Sequence, residues 1–182
     1  MTSATIPQAL VPIVEYLDGL TARPPLDELA SRLEAARITL DDVREFAIFD
    51  PKRYRRNLVA EGPWYSLLVL CWRSGQRSPI HDHAHSVCAF KVLTGVCSET
   101  AYNFAACGQV YPLQTDERPA GSIVATQDSD THQVSNLQPP PQDLVTLHIY
   151  SPPLKSMGLF SITGETFALS GDVAGVDDEY AI

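Results

Sequence analysis

Apolar runs rich in strand-forming residues, separated by turn-forming residues, fill the chain from Tyr65 onward. β-Branched and aromatic side chains favour strands. Many short strands separated at regular intervals by turns are typical of an antiparallel sandwich or barrel. This part of the sequence therefore predicts a mainly β fold. The clearest runs are Ser66–Trp72, Cys88–Leu93 and Leu144–Tyr150.

The N-terminal part of the chain has a different periodicity. Apolar residues recur at intervals of three and four along residues 6–47, which predicts short amphipathic helices. The last of these helices is expected to begin at Thr39, whose hydroxyl can cap it, with Asp41 and Asp42 at its positive end.

A chain of 182 residues fits one ordinary domain, and a second independent core is not expected. We expect residues 1–50 to form a helical segment packed on a barrel of residues 51–170. Residues 171–182 are expected to form an acidic, solvated tail.

Acidic residues outnumber basic residues by 22 to 13, so the net charge is −9. This balance disfavours nucleic acid and anionic membrane surfaces as partners. There is no leader-like N-terminus and no apolar run of roughly 18 residues that could cross a membrane. We therefore expect a cytoplasmic monomer whose four cysteines are reduced thiols.

Three of the five histidines lie within residues 81–85, directly before an apolar run. On an extended segment, alternate residues share one face about 7 Å apart, so His81 and His83 can bind one metal ion at about 2.1 Å each. His85 would lie about 13 Å from His81 on a regular strand, so the third ligand must come from elsewhere. An isolated pair of histidines with this spacing is more often part of a polar surface than of a metal site, so the surrounding residues must decide between the two.

The residues around this pair have the spacing of the first cupin motif. Five residues separate Gly75 from His81, four separate His83 from Cys88, and six separate Cys88 from Gly95. Most cupins have a glutamate metal ligand at the position that Cys88 occupies here. The second cupin motif is similar to residues 119–121 and 132–136, and this similarity supplies His132 as the third imidazole.

Between about Tyr54 and Pro153 the chain resembles the cysteine dioxygenases, which are thiol dioxygenases of the cupin superfamily. The resemblance implies a cupin β-barrel, or jelly roll, with N-terminal helices, and an Fe(II) ion bound by His81, His83 and His132. The segments that carry it are Tyr54–Val59, Leu70–Trp72, His81–His83, Phe90–Thr100, His132–Val134 and Leu147–Pro153.

The same resemblance implies how a substrate is held. Arg56 would bind the substrate carboxylate, because its planar guanidinium can pair with both oxygens at once. Family members that prefer 3-mercaptopropionate have glutamine at this position, so arginine favours L-cysteine. Tyr54 and Trp72 would form the pocket wall, although aromatic residues in strands are more often plain core.

Thr146, His148 and Tyr150 alternate with aliphatic residues, so a strand would place all three polar groups on one face. Alone, such alternation is more often a half-exposed strand. In the resembling family this face lines the iron pocket, with Tyr150 beside the substrate and His148 orienting it, and serine is the usual residue where this chain has Thr146. Animal members also form a thioether bond between the equivalents of Cys88 and Tyr150, which predicts the same crosslink here.

Three neutral imidazoles leave a divalent ion with its full charge and with open coordination positions, which favours a thiolate ligand and leaves room for dioxygen. The expected reaction adds both oxygen atoms to the sulfur of L-cysteine and gives cysteine sulfinate. One alternative is a dioxygenase for 3-mercaptopropionate or a broader range of thiols. Another is a non-catalytic, metal-binding cupin that senses a small ligand, whereas a structural zinc site is disfavoured because such sites have four protein ligands.

Overall fold

The computed structural model describes residues 6–163 and the backbone of residues 166–170, so the expected acidic tail lies outside the described residues. Within them the fold is mainly β, as predicted, with strands in two sheets whose pairings are all antiparallel. The strands are β1 (Arg55–Gly62), β2 (Tyr65–Trp72), β3 (Ile80–His81), β4 (Val87–Thr94), β5 (Val96–Phe104), β6 (Val110–Pro119), β7 (Ile123–Thr126), β8 (His132–Ser135), β9 (Leu144–Ser151), β10 (Ser156–Phe160) and β11 (Thr166–Ser170).

The two sheets pack against each other through their inner faces. One sheet has the strand order β1-β2-β9-β4-β7 and the other has β11-β10-β3-β8-β5-β6. Strands that are neighbours in space are often distant in sequence, as in a jelly roll. An apolar cluster joins the inner faces, and its members include Leu68 and Phe90 from the first sheet and Val134 and Leu159 from the second.

Two short helices, α1 (Val11–Asp18) and α2 (Leu26–Ala35), precede the strands, with 3-10 turns at Gln8–Leu10 and Asp41–Phe46. The prediction of a helix capped by the Thr39 hydroxyl is wrong. The turn begins at Asp41 and has no side-chain cap, and Thr39 instead donates both its backbone N–H and its hydroxyl to the Asp42 carboxylate, at 2.8 and 2.6 Å. Thr39 therefore acts as a donor to a carboxylate, which has enough lone pairs to accept both bonds, whereas a cap would require the Thr39 hydroxyl to accept one.

The helices cover the outer face of the first sheet, and α2 packs on β4 and β7. Leu29 and Leu33 of α2 join a core that includes Leu67, Leu147 and Ile149. Every residue of β2 and of β9 is consequently buried. A strand that is buried on both faces has no solvent side, so the polar residues of β9 must lie inside the protein.

No helix in the described part of the chain is long and apolar enough to cross a membrane.

Candidate metal centre

The imidazoles of His81, His83 and His132 converge in the interior of the barrel. Their ring centroids are 4.8 to 5.3 Å apart, and one ligand nitrogen from each lies within 4.8 Å of the other two. All three side chains are buried. The structure therefore brings together the three histidines that were predicted as metal ligands.

Strand pairing explains how histidines so far apart in sequence meet. His81, at the end of β3, is the direct antiparallel partner of His132, at the start of β8. Side chains of directly paired residues point to the same face of a sheet. His83 follows two residues after His81 and returns to that face, as alternate residues of an extended segment do.

The chain turns sharply after His83. Ala84 and His85 have positive φ angles of 36° and 81°, and His85 is exposed on the far side of this turn, outside the cluster. The Asp82 carboxylate accepts hydrogen bonds from the backbone N–H groups of Ala84 and Gly158, at 3.2 and 2.8 Å. A side chain at Gly158 would place its Cβ 2.8 Å from an Asp82 oxygen, so glycine is required for this contact.

The hydrogen bonds of the imidazoles fit a metal ion. Nδ1 of His81 lies 3.0 Å from the carbonyl oxygen of Pro79, and Nδ1 of His132 lies 2.9 Å from the Glu99 carboxylate. Both partners accept only, so both Nδ1 atoms carry the proton and both Nε2 atoms present lone pairs. Nε2 of His132 faces Nε2 of His83 at 3.2 Å, the arrangement expected of nitrogens that share a ligand ion.

Burial keeps the imidazoles of His81 and His83 in the neutral form that binds metals. Burial and then the nearby His132 lower the pKa of His81 to about 3. The pKa of His83 is also well below its usual value, for the same two reasons. Neutral imidazole is the form that a divalent cation requires.

No carboxylate belongs to this ligand cluster among the described residues. The acidic side chain that reaches it, Glu99, contacts His132 on the opposite side of the ring from the other two imidazoles. Sequence reasoning placed Glu99 within a matching segment but assigned it no role.

A small cavity opens beside the cluster. Tyr54 and Trp72 stack in its wall, with centroids 4.1 Å apart and planes 9° from parallel. The guanidinium carbon of Arg56 lies 5.2 Å from the centre of the Tyr150 ring. The predicted substrate-binding residues Tyr54, Arg56 and Trp72 thus line the same cavity as His81 and His132, and Thr146 lies behind them.

A chain of hydrogen bonds runs behind this cavity. The Trp72 indole N–H donates to the Thr146 hydroxyl at 3.2 Å, and that hydroxyl lies 2.9 Å from Nε2 of His148. Nδ1 of His148 lies 3.2 Å from the Tyr150 hydroxyl. The predicted alternation in β9 is confirmed, because these side chains face the barrel interior while Leu147 and Ile149 join the core under the helices.

His148 is further held by Phe90, whose ring stacks on it with centroids 4.7 Å apart and planes 10° from parallel. Sequence reasoning placed Phe90 in an apolar strand and in a matching segment but assigned it no role. The position of Phe90 in the sequence does not predict this contact, because the pairing of β4 with β9 determines which residue of β9 lies opposite Phe90.

The thiol of Cys88 lies in the same layer, 3.7 Å from Nδ1 of His148. Burial raises its pKa to about 12, so it remains a protonated thiol at neutral pH. Burial also raises the pKa of the Tyr150 phenol far above its usual value, and the neighbouring Cys88 contributes.

Comparisons with known proteins agree with this geometry. The family model described as cysteine dioxygenase type I matches residues 1–163. Cysteine dioxygenase type 1 of Danio rerio is 31% identical over 170 residues, which cover 87% of this chain and 82% of that protein. The protein of the same name from Homo sapiens is 30% identical over 165 residues, with the same two coverages.

Solved structures support the fold. A conserved Klebsiella pneumoniae protein with a double-stranded β-helix domain matches with a TM-score of 0.53 at 17% identity, over 71% of this chain and 88% of that one. At this identity the likeness concerns the fold alone. The family is shown by the sequence matches, which extend over most of the chain. The chain therefore belongs to the cysteine dioxygenase type I family.

Proposed function

We propose that this protein is an Fe(II)-dependent dioxygenase that converts L-cysteine to cysteine sulfinate. The observation that carries the proposal is a cluster of three imidazoles, two of which line one cavity together with an arginine side chain. The imidazoles suit a divalent metal ion, and the arginine suits a carboxylate. The matched family members of Danio rerio and Homo sapiens are named for the same substrate.

His81, His83 and His132 would hold the metal ion. When bound, Fe(II) supplies a site for the substrate thiolate and the ability to react with dioxygen. Within the part of the chain that the structure describes, no carboxylate joins the ligand cluster, so an anionic substrate sulfur is favoured there. Iron is proposed over zinc because oxygen chemistry requires a metal that can change its oxidation state.

Arg56 would fix the other end of the substrate. Its Nε is buried and has no hydrogen-bond partner among the described residues. An unpaired buried donor is costly, and a carboxylate that accepts from the guanidinium removes this cost. Holding the substrate by its carboxylate and by its sulfur fixes its position and orientation, and this use of binding energy favours the reaction.

The partners in the hydrogen-bond chain behind the cavity determine which group donates in each bond. An indole N–H can only donate, so the Thr146 oxygen accepts from Trp72. Among the described residues, the Thr146 hydroxyl has one other hydrogen-bond partner, Nε2 of His148, so the hydroxyl donates to that nitrogen. Burial, followed by the charge of Arg56, holds the pKa of His148 well below its usual value, so the ring carries one proton, at Nδ1.

That remaining proton is donated by Nδ1 of His148 to the Tyr150 oxygen. The Tyr150 O–H then donates away from His148, to the Cys88 sulfur or into the cavity toward the substrate and dioxygen. We propose that Tyr150 positions both reactants in this way, and that His148 and Thr146 act through it.

We also propose a thioether bond between the Cys88 sulfur and the Tyr150 ring. Its formation removes one hydrogen atom from the thiol and one from a ring carbon, which is two protons and two electrons in all, and dioxygen accepts them and becomes hydrogen peroxide. The proximity of both residues to Nδ1 of His148 supports this proposal. That the protein is monomeric and cytoplasmic stays a prediction from its sequence.

The decisive experiment is oxygen uptake by the Fe(II)-loaded protein with L-cysteine, together with identification of the product. We expect one dioxygen consumed for each cysteine sulfinate formed, and no comparable rate with the Zn(II)-loaded protein. Uptake that is faster with 3-mercaptopropionate would replace the proposed substrate. Bound iron without any thiol-dependent uptake would favour a non-catalytic binding protein.

A further inference from the structure

Glu99 reaches the metal-binding cluster from the neighbouring strand. In the pairing of β5 with β8, Ala101 lies opposite His132, and Glu99 is two residues before Ala101. Residues two apart on a strand share a face, so Glu99 and His132 are diagonal neighbours. The carboxylate lies 2.9 Å from Nδ1 of His132, and both side chains are at least 90% buried.

Arg118 holds this carboxylate in place. Its Nε lies 3.6 Å from the second Glu99 oxygen, and its terminal nitrogen lies 2.8 Å from Asp116. Arg118 is partly exposed and lies on β6, the edge strand, so it links the buried glutamate to the solvent at this edge of the six-stranded sheet. A buried carboxylate is tolerated only when it is paired in this way.

The other two imidazoles have weaker partners. Nδ1 of His81 contacts a neutral carbonyl, that of Pro79. Nδ1 of His83 is buried and has no hydrogen-bond partner among the described residues. Of the three histidines, only His132 therefore has an anionic partner.

We infer that Glu99 is a positioning residue that makes His132 the strongest of the three metal-binding imidazoles. The carboxylate accepts the Nδ1 proton, which fixes Nε2 as the ligand atom and increases the electron density that it donates. The negative charge that most cupins place in the coordination sphere is here placed behind one ligand. This inference rests on the proposed metal site, but it does not depend on which thiol is oxidised.

Metal affinity tests the inference without any activity measurement. Dissociation constants for Zn(II) and, without oxygen, for Fe(II) are measured by competition with a chelator. Glu99→Gln keeps an acceptor oxygen but removes the charge, and Glu99→Met removes both. Because the partner of a metal-binding histidine typically contributes about 10-fold to 100-fold to affinity, we expect losses near the lower value for Gln and near the upper value for Met.

Glu117→Gln is the matched control, because it removes the same charge from the strand paired with β5. The Glu117 carboxylate is exposed and accepts from the Ser98 hydroxyl rather than from a histidine. This variant should bind metal as the unaltered protein does. If Glu99→Met does not fold, the more conservative Glu99→Gln decides the outcome.

A spectroscopic measurement separates positioning from a purely structural role. In the Zn(II)-loaded protein, the Nδ1 proton of His132 should resonate far downfield, and Glu99→Gln should move it upfield while the thermal midpoint of the apo protein changes little. Metal affinities of both Glu99 variants within about twofold of the unaltered value would overturn the inference, as would an equal loss in Glu117→Gln. If the unaltered protein binds metal but does not oxidise cysteine, the proposed function fails and this comparison still stands.

Discussion

Cys88 and Tyr150 are direct cross-strand partners on β4 and β9, and the Cys88 sulfur and the Tyr150 oxygen lie 3.7 and 3.2 Å from the same nitrogen, Nδ1 of His148. Burial holds both groups in their protonated forms by raising both pKa values. A thioether bond between the sulfur and the ring requires the removal of two electrons in any protonation state, so its formation needs an oxidant and not merely a reactive thiolate.

The first prediction concerns this bond. Incubation with Fe(II), L-cysteine and air should lower the intact mass of the protein by the mass of two hydrogens, and peptide mapping should find Cys88 joined to Tyr150. Cys88→Ser and Tyr150→Phe should each abolish the change. Cys97→Ser is the control, because Cys97 is also a buried thiol with a pKa of about 12. A fully alkylatable Cys88 after turnover and denaturation would contradict the prediction.

The second prediction concerns Arg56. Arg56→Gln removes a charge-assisted pair worth about 3 kcal/mol, so kcat/KM for L-cysteine should fall about 100-fold. The loss for 3-mercaptopropionate should be smaller, which shifts the preference between the two thiols. Arg55→Gln, an exposed neighbour on β1, should leave both values unchanged. Steady-state oxygen uptake with both thiols provides the comparison, and an unaltered preference would remove Arg56 from the substrate site.

The third prediction concerns Thr146. Thr146→Ser keeps the hydroxyl and should retain most of the activity, whereas Thr146→Val leaves the Trp72 N–H and His148 without their partner. Leaving a buried donor unpaired costs about 1–3 kcal/mol, so urea unfolding should show a loss of that size for valine. Misorientation of Tyr150 should also lower kcat by about tenfold or more. Equal kcat values for the serine and valine variants would argue against the proposed chain.

The fourth prediction concerns pH. Burial, followed by the charge of Arg56, lowers the pKa of His148 in the folded protein, while in the unfolded chain it returns to about 6.5. Below that pH the unfolded state binds a proton that the folded state does not, so stability falls as pH falls until the lowered folded pKa is reached.

His148→Gln cannot bind this proton. Between about pH 7.5 and about pH 5.5, the metal-free wild type should therefore lose about 1.4 kcal/mol more unfolding free energy than His148→Gln. Urea titrations in the presence of a chelator measure the unfolding free energy of both proteins. His81 and His83 make the same contribution to the pH dependence in each, so they cancel in the comparison. Parallel pH profiles would mean that His148 titrates normally.

Sequence reasoning was most successful where the signal is local. The strands around Leu70, Phe90 and Leu147 were predicted from their composition, and the first two histidines were predicted from their spacing. It was wrong about the Thr39 cap, because the Thr39 hydroxyl donates to the nearby Asp42 carboxylate instead of accepting a backbone N–H of the turn. It assigned no role to Glu99 or Phe90, because the function proposed for each depends on a partner on another strand.

The sequence alone determined that the protein is rich in β-strands and that His81 and His83 share one face. Side chains alternate between the two faces of an extended backbone, so the spacing of two residues is enough to predict this. Only the tertiary structure decided what surrounds them. Glu99 and His132 are 33 residues apart and lie on different strands, and their contact exists because the burial of two sheet faces selected one strand pairing and one register. A shift of that register by a single residue would turn the carboxylate away from the imidazole.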